Sequence, residues 1–537
     1  MNPSKKLRNL VAEGYQLTPE AFSFLNSLEN TDEIIDEIIS SNLEKLILSK
    51  EDIMKIIEKE DKVESSSPSI DKDKPNLIES EKPEKQELTL KSRTFTSDDK
   101  IVTTKEKTIP SEQKETKPKI RREKDSADIE VIYSPQVTKT PASADSFRKY
   151  FKNRYEVIKS YFSKRRDITN KVTISDLNPN IVIDKISLIA IVTKIQRFNS
   201  GTVSLDLEDP SGQITGIIYS SNQDLVQTSQ FILEDSVLCF IGRWKNGKLS
   251  VFDVLWPDIP YTHKPNYASE EILSLHVSDI HVGSKKFAGK LFHKVINFIN
   301  GQLESDKYNK IGEKVKYLFV AGDIVDGVGV YPGQKDDLVI DSIQLQYHLA
   351  TEYFDQIRKD VEIIIIPGNH DGARSAEPQT PIQKEFAQDL LELDNVHLYG
   401  SPCYIKTDNV EVLLNHGNSI LDINAAIPAI PHETSIPAMR EMLKNRHLVP
   451  IYGKRTPIAP APTDELIISR IPDIFHTGHT HIAGDDKYKG VLLLNSGTFQ
   501  YQTSYQKSMN INPTTGLTYV VNMKKLERSE INFQKIN

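Results

Sequence analysis

Apolar residues recur at helical spacing from about residue 7 to 57, with Thr18-Pro19 and Ser49 as helix starts. A hydroxyl accepts an orphan backbone N–H and proline suits the first turn, so the pattern predicts a small helical module over residues 1–58. The pattern then fades. From Asp61 to Asp128 the chain holds 16 acidic and 16 basic residues, five prolines and a single aromatic, Phe95. Such a stretch cannot bury enough apolar area to offset its chain entropy, which predicts a disordered charged linker over 59–146. Periodicity returns with Phe151, Tyr155, Ile158 and Phe162 at i, i+4, i+7 and i+11, predicting an amphipathic helix over 147–170. Residues 147–166 carry eight Lys or Arg against one acid, Glu156. The aromatic face is expected to pack on the next domain with the basic face solvated; nucleic-acid contact is the alternative.

Alternating runs follow: Ile181 to Ile183, Ser187 to Val192, Thr202 to Leu207, Gln213 to Tyr219, Ser236 to Gly242 and Lys248 to Val254. Turn signals at Asn199-Ser200-Gly201, Asp209-Pro210-Ser211-Gly212 and Asn246-Gly247 separate them. Their number and spacing predict a small all-β barrel of the OB type over 171–262. Such barrels bind single strands by stacking bases on aromatics, but these strands carry few, so a structural or subunit-contact role stands beside direct DNA binding.

Five apolar runs beyond residue 268 read as buried strands: Ile272 to Val277, Tyr317 to Ala321, Val361 to Pro367, Val412 to Leu414 and Asp473 to Phe475. Each ends at a polar cluster. The clusters are Asp279-Ile280-His281, Gly322-Asp323, Gly368-Asn369-His370-Asp371, His416-Gly417 and Gly478-His479-Thr480-His481. Ligand crevices in α/β folds lie at the carboxyl ends of strands, so strands of one sheet system would bring the five together. Glycine beside the polar residues suits tight turns that carry side chains close to an ion. All thirteen histidines fall after residue 262, which makes a metal site the first chemistry to test. Nitrogen and oxygen donors without a thiolate fit two first-row divalent ions bridged by a carboxylate. One Asp-x-His or Gly-Asp alone carries little information; five clusters in order carry the weight. Asp326 is expected to cap a turn or brace a ligand rather than to ligate, and His476 is left unassigned.

Composition narrows the setting. A chain of 537 residues has room for three or so domains. Two cysteines, Cys239 and Cys403, exclude a disulfide framework and a thiolate zinc site, and a reducing, cytoplasmic home is expected. Nowhere do 18 consecutive apolar residues occur, and Met1 to Lys6 is not followed by an unbroken apolar segment, so neither a membrane span nor a secretory signal is expected. The net charge of -8 offers no global attraction for a polyanion, which leaves local basic patches or bound metal to supply it.

With the five clusters in order, residues 270–500 resemble the calcineurin-like metallophosphoesterases. The resemblance implies an α/β domain over 268–537, a ββ-sandwich with flanking helices, closing a multidomain chain. It implies that Asp279, His281, Asp323 and His481 hold one metal and that Asp323 bridges to a second completed by Asn369, His416 and His479. His370 would stabilise the transition state or protonate the leaving oxygen, with Asp371 placed to orient it. Water between two cations has its pKa lowered far below bulk, and an imidazole with a pKa of about 6.5 suits general acid catalysis near neutral pH. Mn²⁺ is the expected ion, with Fe, Zn or Co compatible with the same donors.

A barrel directly before this domain sharpens the likeness, as do four stretches: Val277 to Ser284, Arg446 to Gly453, Arg455 to Pro460 and Asn495 to Gln500. Together they make residues 170–537 similar to the small subunits of archaeal family D DNA polymerases. That resemblance implies a 3′–5′ exonuclease that removes mispaired primer ends from DNA, partnered by a large polymerising subunit and located with the nucleoid. A sliding clamp is a further candidate partner, although no convincing clamp-binding motif stands out in the linker. Two other readings stay open: a scaffold subunit with vestigial chemistry, and a stand-alone metallophosphoesterase. Lys285, Lys286, Arg374, Arg446 and Arg455 are candidates for DNA backbone contacts, and the loop from Asn424 to Asp464 for DNA or subunit contact.

Overall fold

Two six-stranded sheets carry the C-terminal part of the chain. In the first, Val396–Leu398, Glu362–Ile366, Val315–Ala321 and Leu273–Val277 run parallel, and Leu517–Asn522 and Glu527–Asn532 extend it antiparallel. The second has the order Gly484–Tyr488, Val491–Asn495, Ile474–Thr477, Val410–Leu414, Cys403–Thr407 and Ile129–Tyr133. The computed structural model describes residues 128–136 and 141–536, together with positions scattered through 16–57. Side chains alternate along the strands, and the central strands of each sheet are buried on both faces, while the edge strand Glu527–Asn532 is largely exposed. Tyr317 and Phe319 meet Val412, Leu414 and Leu492 in a core between the sheets, whereas Leu318 and Val320 face the helices Gly289–Ile299 and Ile343–Asp355. Leu413, Phe475 and Leu493 likewise face the helices Ile420–Ala426 and Ile436–Asn445. Burial on two faces explains why these strands read as unbroken apolar runs.

Before them, the strands Ile183–Arg197, Val203–Asp209, Gly212–Ile218, Lys248–Leu255 and Val237–Lys245 pair in that order, and the last pairs back onto the first. The ring closes around Leu188, Leu205, Phe240 and Trp244. A helix, Ala144–Ser163, joins ring and sandwich: Tyr155, Ile158 and Phe162 pack against Ile189 and Val237 of the ring, while Tyr150 enters the core of the second sheet. Ser143 caps it by accepting the Ser146 N–H at 3.2 Å. The helix expected over 147–170 thus begins three residues earlier and ends at Ser163. Its basic residues are not all solvated, because Arg154 turns inward and is 1% exposed.

The charged linker expected over 59–146 lies outside the described residues from 59 to 127 and from 137 to 140. Its far end needs correcting: Ile129–Tyr133 is an edge strand pairing antiparallel with Cys403–Thr407. Ile129 packs on the inter-sheet core and Ile132 and Tyr133 on the opposite one. Five residues suffice to cover an open edge, and averaging over a long charged window hides them. Within the N-terminal module, the described residues form the helix Thr31–Ser40, helical residues 52–57 and a short parallel pairing of Gln16–Leu17 with Ile47–Leu48. Among the described residues no helix is long and apolar enough to cross a membrane.

Candidate metal centre

Strands Leu273–Val277, Val315–Ala321 and Glu362–Ile366 of the first sheet and Val410–Leu414 and Ile474–Thr477 of the second each end beside the same cavity wall. The turns that follow bring the polar clusters together through unusual backbone. Asp279, His281, Asp323, His479 and His481 adopt left-handed φ of 53°, 56°, 53°, 69° and 59°. Non-glycine residues rarely do so, and each such position costs on the order of 1 kcal/mol or more. Two glycines permit the close approach: a Cβ on Gly368 would collide with Asp323, and one on Gly478 with Asp279 and Ser278.

Two donor groups share Asp323. In the first, His481 Nε2 lies 3.3 Å from Asp279 Oδ1 and 3.0 Å from His281 Nε2. His281 Nε2 is 3.9 Å from Asp279 Oδ1 and 3.8 Å from Asp323 Oδ2. In the second, His416 Nε2 is 3.2 Å from Asp323 Oδ2 and 3.1 Å from Asn369 Oδ1, and His479 Nδ1 is 2.9 Å from that same Asn369 oxygen. All seven expected ligands therefore converge. His370 also comes within 4.8 Å of His281 and Asp323.

The hydrogen bonds behind the rings set which nitrogen each presents to the site. His416 Nδ1–H donates to the Ala321 carbonyl at 2.8 Å and His281 Nδ1–H to the Asp326 carboxylate at 3.0 Å. Both rings then turn Nε2 toward carboxylates, His416 toward Asp323 at 3.2 Å and His281 toward Asp323 and Asp279 at 3.8 and 3.9 Å, where a neutral nitrogen needs a proton or a cation between it and the oxygen. Among the described residues no Lys or Arg forms an ion pair with Asp279 or Asp323. Burial opposes charge on His416, but Asp323 beside it outweighs burial and holds the imidazolium up to about 10. The same contact keeps Asp323 well below the usual carboxylate range despite its burial. His479, buried and facing His416, is pushed down to about 3. His481 takes the other tautomer: Gln506 Nε2 donates to its Nδ1 at 2.8 Å, while Gln506 Oε1 accepts the Thr503 N–H at 3.0 Å. Ligation through Nε2 requires the Gln506 amide to turn its oxygen toward Nδ1. Buried His and Asp side chains are thus positioned to hold metal, and their donor chemistry fits a divalent cation.

Asp326 bonds the His281 ring from behind, and its carboxylate also accepts the Gln500 Nε2–H at 2.9 Å and the Gln334 Nε2–H at 3.3 Å. Asp371 does not orient His370. Its carboxylate accepts the Tyr347 O–H at 2.9 Å and the backbone N–H groups of Gly368 at 2.9 Å and Ile324 at 3.3 Å, because the turn folds it away from the cavity. His370 Nδ1–H is held instead by the Asp326 carbonyl at 2.7 Å. Burial disfavours charge on His370, but Asp323 and Asp326 outweigh it and raise its pKa. His476 belongs to a separate pair: its ring lies 4.8 Å from that of His276, and each bonds a serine, Ser496 and Ser274, at 3.0 Å.

Of the expected DNA contacts, Arg455 is exposed and lines the cavity, and Lys286 is exposed. Lys285 donates to the Asp336 carbonyl at 2.6 Å and Arg374 to the Pro378 carbonyl at 2.7 Å. Arg446 is buried, donating to the carbonyls of Ile468 and Ser469 at 2.8 and 3.1 Å over the Tyr161 ring, and is not available to DNA. The loop expected from Asn424 to Asp464 contains the helix Ile436–Asn445, whose Met439, Met442 and Leu443 are core residues. Gln500 and Gln506 escaped the sequence reading; Gln500 ends one of the resembling stretches, but nothing in its neighbours marks its partner.

Residues 275–483 match the family of DNA polymerase alpha/epsilon B subunits. A DNA polymerase II small subunit of Methanothermobacter thermautotrophicus is 39% identical over 383 residues, 71% of this chain and 78% of its own. The same-named proteins of Methanocaldococcus jannaschii and Archaeoglobus fulgidus are 38% and 37% identical, over 71% and 70% of this chain and 64% and 74% of their own. A solved archaeal phosphodiesterase aligns over 48% of this chain and 99% of its own at 15% identity, with a TM-score of 0.24, too slight a likeness to bear on the fold.

Proposed function

The chain belongs to the family of DNA polymerase II small subunits of archaea, and from that premise we propose that its buried centre is a 3′–5′ exonuclease that trims mispaired primer ends for a separate polymerising subunit. One observation carries the reading: the Nε2 atoms of His281, His416 and His481 converge on the carboxylates of Asp279 and Asp323, with which no Lys or Arg among the described residues forms an ion pair. In this reading Asp279, His281, Asp323 and His481 hold one divalent ion and Asp323, Asn369, His416 and His479 a second, Mn²⁺ being the expected metal. When bound, such ions lower the pKa of nearby water and offset charge growing on phosphoryl oxygens.

The remaining steps fall to the chain itself. His370, fixed through Nδ1 and with its pKa raised by Asp323 and Asp326 against burial, offers Nε2–H to the departing 3′ oxygen. Asp371 holds the turn that presents Asn369 and His370, and Asp326 fixes the His281 ring. Mispaired ends are preferred because unpairing them costs less, a few kcal/mol at most. The closed ring of strands over 171–262 is of the OB type, and with the sandwich it offers the surfaces that meet DNA and the large subunit.

The test uses the full chain, Mn²⁺ and a primer–template with a 3′ mismatch. Asp323→Asn should lose more than about a hundredfold in rate together with its bound metal, and His370→Ala about 10²–10⁴-fold with metal retained. Unchanged cleavage in both variants rejects the assignment. A wild type that binds metal without cutting any 3′ end favours the vestigial scaffold.

A further inference from the structure

The cavity over the metal centre measures about 520 Å³, and its lining is uneven. Its floor is the row of rings His370, His281 and His481, with centroids 4.7 and 4.8 Å apart. Apolar side chains flank both ends of that row. Beyond His370 stands Tyr331, its ring 6.3 Å from the imidazole and its hydroxyl donating to Asp337 at 3.1 Å. Beyond His481 lies the short helix Ser504–Ser508, whose Gln506 touches His481. It sets Tyr505, 62% exposed, and Met509, 43% exposed, at the cavity's edge. Large apolar side chains left this open beside a polar floor are costly in water, and nothing in the metal chemistry uses them.

Charge points the same way. Among the residues lining the cavity, Arg455 is the only Lys or Arg, and Glu433 stands in the same lining. A duplex is gripped chiefly through its phosphates by many cations, which this wall does not offer. A single strand can instead be held by bases stacked on aromatic faces, whatever their sequence.

We propose that Tyr505, with Met509 in the same cavity lining and Tyr331 by the other end of the ring row, is a stacking platform that takes the unpaired terminal bases of a polynucleotide strand and so restricts the centre to melted 3′ ends. The proposal rests on the phosphodiesterase reading above and names the substrate form. Because Gln506 bonds His481, the platform keeps a fixed position relative to the ligands, and a base stacked there sets which phosphodiester reaches them.

Binding of the full chain to fluorescent (dT)8 in Mn²⁺ provides the test, with phosphorothioate linkages at the last three positions to resist cleavage. Tyr505→Ala should weaken binding about tenfold or more, whereas Tyr505→Phe keeps it within about twofold. The same oligonucleotide with its last three residues abasic should bind wild type about tenfold more weakly and be indifferent to Tyr505→Ala. Affinity should fall with salt at a slope of about one phosphate contact. Equal binding of (dT)8 by wild type and Tyr505→Ala, or of the base-bearing and abasic strands by wild type, overturns the proposal; the first result is also what a platform for a protein partner would give. Loss of cleavage with the base-dependent binding intact would instead sink the exonuclease reading and leave the platform standing.

Discussion

Two buried aspartates, Asp464 and Asp323, sit among histidines in this molecule and are used in opposite ways. Asp464 is saturated with donors: Tyr150 O–H at 2.5 Å, Arg154 Nε at 2.6 Å, His447 Nε2–H at 2.9 Å and the Leu466 N–H at 3.1 Å. His447 Nδ1 accepts the Val449 N–H at 3.0 Å, so the tautomer that presents a proton to Asp464 is fixed by the backbone. At Asp323 the backbone anchors the other nitrogen: His416 Nδ1–H donates to the Ala321 carbonyl, and Nε2 is turned to the carboxylate at 3.2 Å. An arginine completes the first assembly, whereas among the described residues no Lys or Arg pairs with Asp323, which with Asp279, His281 and His416 is positioned to hold a metal. Burial and residue type are alike in the two, so what separates a structural node from a metal centre is which ring nitrogen is anchored behind.

The sharpest way to break this comparison is to remove the cation from the closed assembly. Arg154→Ala leaves Asp464 buried without its permanent charge and should cost about 3–5 kcal/mol of stability, read from urea midpoints, while the metal content of the folded fraction stays unchanged. Burial would raise the Asp464 pKa, but His447 and Arg154 hold it below the ordinary range. That depressed value makes its contribution present above an unfolded pKa of about 3.9 and lost as pH falls through the folded one. Wild type should therefore lose stability in acid faster than the variant.

Glu377 offers an intermediate case. Its Oε1 accepts Asn418 Nδ2–H at 2.8 Å, its Oε2 has no partner among the described residues, and burial lifts its pKa to about 7. The folded chain then keeps a proton that the unfolded chain releases near pH 4.5, so stability falls as pH rises from there to 7. Glu377→Gln should remove that fall and gain up to about 3 kcal/mol at pH 8, with no gain below pH 4.5. Parallel stability curves for the two proteins would mean that Glu377 holds its proton no more tightly in the folded chain than in the unfolded one.

The smallest effect tests the bracing itself. Asp326→Asn leaves every proposed ligand in place but loosens the His281 ring, and metal affinity by competition with a chelating dye should drop about 10–100-fold. An affinity equal to wild type would mean that the anchored tautomer is not what readies His281.

Much of the centre is legible in sequence because strands buried on both faces leave unbroken apolar runs, and their ends announce Asp279, Asp323, Asn369, His416 and His479 in turn. The left-handed backbone that turns Asp279, His281 and Asp323 together leaves no such trace, since neither aspartate nor histidine is the residue that favours it. Basic residues mislead for the opposite reason. Arg446 reads like a solvated cation, yet its guanidinium satisfies the carbonyls of Ile468 and Ser469, contacts about 22 residues away in sequence that no local pattern records. Asp371 lies next to His370 in the chain, but adjacency is not contact; its partner, Tyr347, comes from a helix.

The helix Ala144–Ser163 has one further consequence. Its inner half is bolted to the two-sheet sandwich by Tyr150 and Arg154, and its outer half is seated on the ring of strands by Tyr155, Ile158 and Phe162. A rod clamped at both ends resists hinge motion between the bodies it joins. Whatever strand the ring were to grip would then be fed to the ligand cluster over a constant distance, so the helix serves as a ruler.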